Sequence, residues 1–470
     1  MLKKHTKIVA TIGPATESKE MLEKLVLAGL NVMRLNFSHG DFAEHQARVD
    51  NLAVVTKKLD TPVAILQDLS GPKIRIGEFD TERVELKVGK KITLVTGKKF
   101  VGDVTRVWVN YPTLHKELKK GSIVFVDDGK KKLAVEGIKG NEIVCKVLVG
   151  GNTKGRRGVN LPGAYLKTSS LTKKDKEDIV FGVKNDVDYF ALSFVRQAKD
   201  VLELRGILEK AKCDAHIIAK IETEEAIENL EDIIKVADGV MIARGDLAIE
   251  VPAEKVPVYQ KRMITLCKQM NKPVITATQM LESMISSPVP TRAEVSDVAN
   301  AIFDGTDAVM LSEETTLGQF PVEAVEVMAR VAEEVETNGR IHFKNGHTNV
   351  TLYDELAQSA LRIADSVGAK IIVTITESGD TARAVSSRRP EQLILVATDN
   401  KKTSTQLALS FGCVSLYGKE KQSFETVTKR VGEYIKKNKL AKKGDAMVLI
   451  FGEPIGKKGT TANAVSVQVI

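Results

Sequence analysis

Eight short apolar runs, each closed by polar residues or glycine and each followed by a helical pattern, constrain this chain more than any other feature. They are KIVATIG (7–13), NVMRLNFS (31–38), PVAILQDLS (62–70), YFALSF (189–194), HIIAKIE (216–222), GVMIARGD (239–246), PVITATQ (273–279) and AVMLSEE (308–314). Amphipathic segments such as SKEMLEKLVLAGL lie between them. Short apolar runs alternating with helices predict parallel strands joined by crossover helices. Eight such units predict an α/β fold built on a closed (βα)8 TIM barrel. A doubly wound open sheet is the alternative.

The rhythm breaks between residues 71 and 167. Stretches such as RVELKVGKKITLVTG and GSIVFVDDGKKKLAVEGIKGNEIVCKVLVGG alternate apolar and polar residues and are cut by glycine turns. They predict a small all-β lid domain inserted after the third strand. Past residue 340 the strand–helix rhythm restarts with AKIIVTITESGDTARAV, QLILVATDN, CVSLYG and DAMVLIFGEP. The expected division is a barrel over 1–70 and 168–340, a lid over 71–167 and a C-terminal α/β domain over 341–470.

Composition narrows the class. The 470 residues are 43% hydrophobic and 28% charged, an ordinary globular balance. No window of about 18 uninterrupted apolar residues predicts a membrane span. The apolar run near the N-terminus is too short and interrupted for a secretory signal. The four cysteines (Cys145, Cys213, Cys267, Cys413) are scattered with no CxxC pair, as in a reduced cytoplasmic protein. The net charge of +8 is uneven: residues 70–167 hold 21 Lys and Arg against 10 Asp and Glu, or +11. That segment has few aromatics and no nucleic-acid motif, so a nucleic-acid partner is not expected. Focusing of small phosphorylated anions fits it better.

Barrel chemistry sits at the carboxyl ends of the strands. The second run ends Arg34-Leu-Asn36-Phe-Ser38, and period-two alternation puts its three polar side chains on one face. The third ends at Asp68, the fifth at Lys220-Ile-Glu222, the sixth at Gly245-Asp246 and the seventh at Thr278. Five strands ending this way predict one shared site. Glu222 and Asp246 suit Mg²⁺ held by two carboxylates plus substrate oxygens, or an acid/base pair. Lys220 and Arg34 supply fixed positive charge for a phosphoryl group or oxyanion. Gly245 lets backbone approach a ligand. Together they suggest phosphoryl transfer. The residues alone leave two rivals: a binding protein displaying Arg244-Gly245-Asp246 as an RGD tripeptide, and another Mg²⁺-dependent barrel acting on phosphoenolpyruvate or an oxoacid.

TKIVATIGPAT, NVMRLNFSHG, DLSGPKIRIG, VDDG, GVNLPG, IAKIET, ARGDL, ITATQMLESMI, PTRAEVSDVANAIFDGTDAVMLSEET and GQFPVEAV follow one another along nearly the whole chain. In this the sequence resembles the pyruvate kinase family. The resemblance implies transfer of a phosphoryl group from phosphoenolpyruvate to ADP, giving pyruvate and ATP, with Mg²⁺ (or Mn²⁺), in a cytoplasmic homotetramer under a phosphorylated allosteric effector. It gives Lys220 the phosphoryl group in flight and Glu222 and Asp246 the metal. Arg34 meets the transferring phosphate, and Gly245 and Thr278 contact substrate. It places Asn36, Ser38, Asp68 and the Leu69 carbonyl at a monovalent-cation site, and Asn36, His39, Arg75 and Lys174 at the nucleotide. Lys73 with Leu69 goes with independence from K⁺ in this family, the lysine ammonium standing in for the ion after a Gly-Pro turn. Two departures stand out: Ala248-Ile249 where the family has Gly-Val, and Glu313 where it has a small residue.

In the C-terminal domain, Thr376-Glu-Ser378-Gly379-Asp380-Thr381 follows an apolar run and opens a helix. Thr376, Ser378, Gly379 and Thr381 predict a phosphate cradle for the effector. The acids Glu377 and Asp380 favour a monophosphate such as AMP or a sugar monophosphate.

Overall fold

All eight apolar runs are parallel strands of one closed barrel in the computed structural model, which describes residues 4–164, 168–339, 351–419, 423–455 and 460–470. The strands are Lys7–Thr11, Val32–Asn36, Ala64–Asp68, Tyr189–Leu192, His216–Ile221, Gly239–Ala243, Val274–Ala277 and Ala308–Leu311. Each pairs in parallel with its neighbours, and the first closes on the eighth with Lys7 opposite Ala308. The doubly wound sheet is therefore excluded.

Alternation sorts the strand side chains into two cores. Val9, Val32, Leu66, Tyr189, Ile218, Met241 and Ile275 fill the barrel interior. Ile8, Met33 and Leu35 face the surrounding helices instead. Helix starts carry their caps in sequence: Thr172 with Asp175 and Thr291 with Glu294 form capping boxes.

A repeated device fixes the bottom, or amino-terminal, rim. The residue before each even-numbered strand is Asn31, Asp188, Asp238 or Asp307. Its side chain accepts the N–H of Ile8, Ile65, Ile217 or Val274 in the preceding odd-numbered strand, at 3.0, 2.8, 2.8 and 3.1 Å. Its own N–H goes back to the carbonyl of that same residue. Four identical two-bond clamps thus set the pairing of odd with even strands.

The inserted domain is a six-stranded sheet plus a two-stranded ribbon, Val84–Leu86 with Gly151–Thr153. Its core gathers Leu94, Val107, Val124, Leu133 and Ile143. The C-terminal domain is a five-stranded sheet, parallel except for the edge strand Ala464–Val469. Its segment 401–409 plugs the bottom of the barrel. Leu409 is fully buried in the barrel interior, and Lys402 donates to the carbonyls of Asp186 and Val187, both at 2.7 Å. The edges expected at 167/168 and at 340/341 touch or lie outside the described residues. No helix among the described residues is long and apolar enough to cross a membrane.

Candidate active site

The top rim is built by the alternation that builds the barrel interior. Val32 points inward, so Arg34 does too; Leu66 leads to Asp68, and Ile218 to Lys220 and then Glu222. These four side chains meet. Arg34 donates through Nε to Asp68 Oδ2 at 2.8 Å and through a terminal nitrogen to Thr11 Oγ1 at 2.8 Å. Lys220 Nζ lies 3.2 Å from Asp68 Oδ1 and 2.8 Å from Glu222 Oε1. It also donates to Ser193 Oγ at 2.6 Å.

Arg34, Asp68 and Glu222 are buried, and little of the Lys220 side chain reaches solvent. Burial works against the Lys220 charge, but Asp68 and Glu222 overcome it and hold its pKa above the ordinary lysine value. Burial pushes the Asp68 carboxyl up, yet Lys220 and Arg34 outweigh that and leave it below its usual value. Glu222 ends above its usual value: burial and the negative charge of Asp246 together exceed the pull of Lys220. The result is a fixed ammonium among acids, with one acid disposed toward a further cation or proton.

Asp246 opens the helix Arg244–Glu250 directly after the sixth strand. Its carboxylate makes no hydrogen bond or ion pair among the described residues, although its charge is felt by both Lys220 and Glu222. No group of three His, Cys, Asp or Glu side chains gathers as a metal cage among the described residues. The uncommitted carboxylate of Asp246, with the lone pairs still open on the singly bonded oxygens of Glu222, instead fits a hard cation that completes its shell with substrate oxygens and water.

Arg244 is turned inward, bonding Asp297 at 2.7 Å and the Thr278 carbonyl at 2.8 Å. That removes the RGD reading, because the arginine anchors the seventh-strand loop. Thr278 Oγ1 accepts the Gly245 N–H at 2.8 Å, and Thr278 sits at φ 68. A Cβ on Gly245 would meet Thr278 no closer than 3.5 Å, so the protein itself leaves room there.

The cation-site candidates are present but occupied by protein donors. Asn36 Oδ1 accepts the Ser38 N–H at 3.1 Å, the Leu69 carbonyl accepts Ser193 Oγ–H at 2.7 Å, and Asp68 holds both cations. Lys73 is not among them. The turn at Gly71 (φ +65) and Pro72 sends the chain into the lid. There Lys73 Cε lies 3.3 Å from where a Gly158 Cβ would be, and the side chain makes no hydrogen bond or ion pair among the described residues. The expected swing of Lys73 back to the cation site is therefore absent at this lid position.

The nucleotide candidates divide in two. Lys174 donates to the Phe37 carbonyl at 2.9 Å and to Asp178 at 2.6 Å, beside exposed Ser38 and His39 and half-buried Asn36. Arg75 stands apart in the lid, donating to the Arg156 carbonyl at 3.1 Å. Glu313 is exposed, whereas Glu314 is buried and accepts the N–H groups of Leu281 and Ser312 at 3.2 and 2.6 Å. Ile249 packs toward Gly129 of the lid, where an added Cβ would sit 3.5 Å away.

In the C-terminal loop, Thr376 Oγ1 accepts the Gly379 N–H at 3.0 Å, and Ser378 Oγ donates to Asp380 at 2.7 Å. Arg383 donates to Asp380 and to the Ser378 carbonyl, both at 2.8 Å. Thr381 is buried one residue inside the helix Asp380–Ser386.

Sequence reasoning missed Thr11 and Ser193. Both carried a usable signal: Thr11 shares a strand face with inward-pointing Val9, and Ser193 shares one with Tyr189 and Ala191.

A barrel with lysine, arginine and acids converging above its strands defines an enzyme that stabilises negative charge on a small bound substrate. Comparison with known proteins makes this specific. The family models "Pyruvate kinase, barrel domain" and "Pyruvate kinase, alpha/beta domain" match residues 3–325 and 354–468. The pyruvate kinase of Clostridium acetobutylicum is 40% identical over 472 residues, with 99% of each chain covered. That of Geobacillus stearothermophilus is 43% identical, covering 100% of this chain and 81% of its own. A crystal structure of a pyruvate kinase from Cryptosporidium parvum superposes with a TM-score of 0.94 at 37% identity, covering 99% of this chain and 96% of that one. The chain belongs to the pyruvate kinase family and is a glycolytic phosphotransferase.

Proposed function

We propose that the enzyme moves the phosphoryl group of phosphoenolpyruvate to ADP with Mg²⁺ (or Mn²⁺) bound at Glu222 and Asp246. The observation carrying this reading is the Lys220 ammonium between Asp68 and Glu222, with the free Asp246 carboxylate in the same electrostatic cluster. The metal, when bound, offsets charge on phosphoryl and carboxylate oxygens. Lys220 and Arg34 neutralise the phosphoryl oxygens as the bond from phosphorus to the enol oxygen breaks and a β-phosphate oxygen of ADP bonds to phosphorus. Thr278 lies beside the enolate, which takes a proton at carbon to give pyruvate. Lys174, His39 and Asn36 on the barrel and Arg75 on the lid hold the nucleotide. A coupled assay for pyruvate tests this. Pyruvate should form from phosphoenolpyruvate only with ADP and should stop on chelation of divalent metal. Pyruvate formed without ADP would point to a different barrel enzyme.

The finer reading follows the same lines. The domains divide as 1–70 with 168–340, 71–167, and 341–470. The enzyme is cytoplasmic and works without K⁺, Lys73 reaching the Asp68 side of the site as the lid closes. Its place one residue past the Gly71-Pro72 turn supports this. A homotetramer buries apolar residues left exposed on the barrel, such as Val289 and Leu317. A phosphorylated metabolite, AMP or a sugar monophosphate, binds at Thr376, Ser378, Gly379 and Thr381, with Arg383 as the nearby cation. Asp380 must give up Ser378 for this to happen. Titration of such metabolites at sub-saturating phosphoenolpyruvate should change the rate in the parent enzyme and not in Ser378→Asp.

A further inference from the structure

We propose that Ser193 is a positioning residue for Lys220, holding the one N–H that the transferring phosphoryl group takes over. This rests on the reading of Lys220 given above. Ser193 is buried at the end of the fourth barrel strand. Its hydroxyl donates to the Leu69 carbonyl at 2.7 Å and accepts from Lys220 Nζ at 2.6 Å. A hydroxyl has a single proton, so committing it to Leu69 turns the oxygen lone pairs toward the ammonium. Asp68, 3.4 Å from the same oxygen, therefore receives no proton from it.

Lys220 has three N–H bonds and three acceptors: Asp68, Glu222 and Ser193. Two of these are charged, and hydrogen bonds between ions are the stronger kind. Ser193 is the neutral acceptor and the easiest to displace. A phosphoryl oxygen arriving at the ammonium takes the Ser193 bond, while the two carboxylates keep the lysine where it was. Until then, Ser193 keeps that N–H from turning toward a carboxylate.

The backbone supports the assignment. Phe194, the next residue, sits at φ 55, in the left-handed region that bulky residues avoid. Such conformations persist where surrounding structure enforces them, often at functional sites. This turn does two things at once: it leaves Ser193 Oγ inside the barrel, and it gives the Phe194 N–H to Glu222 Oε2 at 3.0 Å. One turn thus orients both neighbours of the reacting group. Across from it, a Cβ on Gly71 would come within 2.8 Å of the Phe194 ring and 3.0 Å of Ser193 Cβ, so the close approach of the two turns requires glycine at 71.

The test compares Ser193→Ala with the parent, and with Lys220→Met as a reference, in the full-length protein. The measurements are kcat, the KM for each substrate, the dissociation constant of phosphoenolpyruvate with Mg²⁺ by calorimetry without ADP, and the melting temperature. Loss of an orienting contact should lower kcat about tenfold to a hundredfold while the dissociation constant stays within about threefold. The melting temperature should move little. Ser193→Cys, close in volume but a poor acceptor, should show the same split and serves if the alanine variant does not fold. A kcat within twofold of the parent in the folded variant overturns the proposal. So does binding that weakens as much as kcat falls, because that is the signature of general damage to the site. An active Lys220→Met would instead overturn the reading of Lys220. An inactive Lys220→Met beside a fully active Ser193→Ala overturns only the role of Ser193.

Discussion

The two ends of the same eight strands use buried polar side chains in opposite ways. At the bottom, Asn31, Asp188, Asp238 and Asp307 each perform one local operation on the neighbouring strand, four times over. Two of them also anchor the C-terminal domain: Asp307 pairs with Arg389 at 2.8 Å, and Asp188 lies 3.6 Å from Lys402. At the top no such repeat exists. Arg34, Asp68, Ser193, Lys220 and Glu222 come from four different strands and bond mainly to one another. Polar groups that repeat with the fold serve the fold. Those that break the repeat and converge serve a ligand.

The sharpest way to break this comparison is to remove one charge from each end. Lys220→Met should lower kcat by at least about 10³-fold, because it deletes a charge aimed at the transition state. Its melting temperature should change far less than its rate, since Asp68 keeps Arg34 as a partner and Glu222, already disposed toward a proton, keeps the Phe194 N–H. Asp307→Ala should do the reverse. It strands the buried Arg389 guanidinium and frees the N–H groups of Val274 and Phe411. Breaking such a pair costs about 3–5 kcal/mol of stability. Denaturant unfolding should report that loss, and kcat per folded molecule should remain within about twofold. A top-rim variant that loses stability but keeps its rate, or a bottom-rim variant that does the opposite, would erase the distinction.

Much of this was legible in the sequence, and the exceptions have physical reasons. The eight runs were readable because a buried parallel strand must be apolar throughout and must end abruptly. Arg34, Lys220 and Glu222 were readable because charge at such an end is conspicuous. Ser193 was not singled out, because a lone serine after an apolar run looks like the start of a loop. Its role appears only once Lys220 from the next strand is in place. The bottom clamps were equally quiet: an Asp or Asn before a strand is common, and only the register shows that four of them do the same thing. The position of Lys73 depends on where the lid stands, which no periodicity encodes.

Lys73→Glu probes the boundary between the top rim and the lid. The parent enzyme should keep its activity in K⁺-free tetraalkylammonium buffer with saturating Mg²⁺. The glutamate variant should lose about tenfold to a hundredfold there and recover on addition of K⁺, because it exchanges a built-in cation for an acid that needs one nearby. A parent enzyme that itself needs K⁺ would show that Lys73 stays in the lid, beside Gly158, throughout turnover.

The smallest effect should come from Glu250, at the seam where the lid rests on the rim. Its Oε1 accepts from Asn160 Nδ2 of the lid at 3.4 Å, a long contact. Burial, with some help from Asp246 and Glu224, raises its pKa from 4.5 to about 7, while its hydrogen bonds pull the other way. The folded molecule therefore favours the protonated carboxyl. That contribution to stability is complete below the ordinary carboxylate range and is lost as pH rises through about 7. Glu250→Gln mimics the protonated acid and keeps the Asn160 contact, so it should flatten the fall in melting temperature between pH 5 and 8. One pKa unit corresponds to about 1.4 kcal/mol, so the linkage is on the order of a few kcal/mol, and in a chain of this size it moves the melting temperature by only a few degrees. An unchanged pH profile in the glutamine variant would mean that the carboxylate is already ionised and hydrated at the seam. In that case Glu250 would behave as an ordinary surface acid, unlike Asp68 and Glu222, whose state is set by burial and by the charges of Lys220, Arg34 and Asp246.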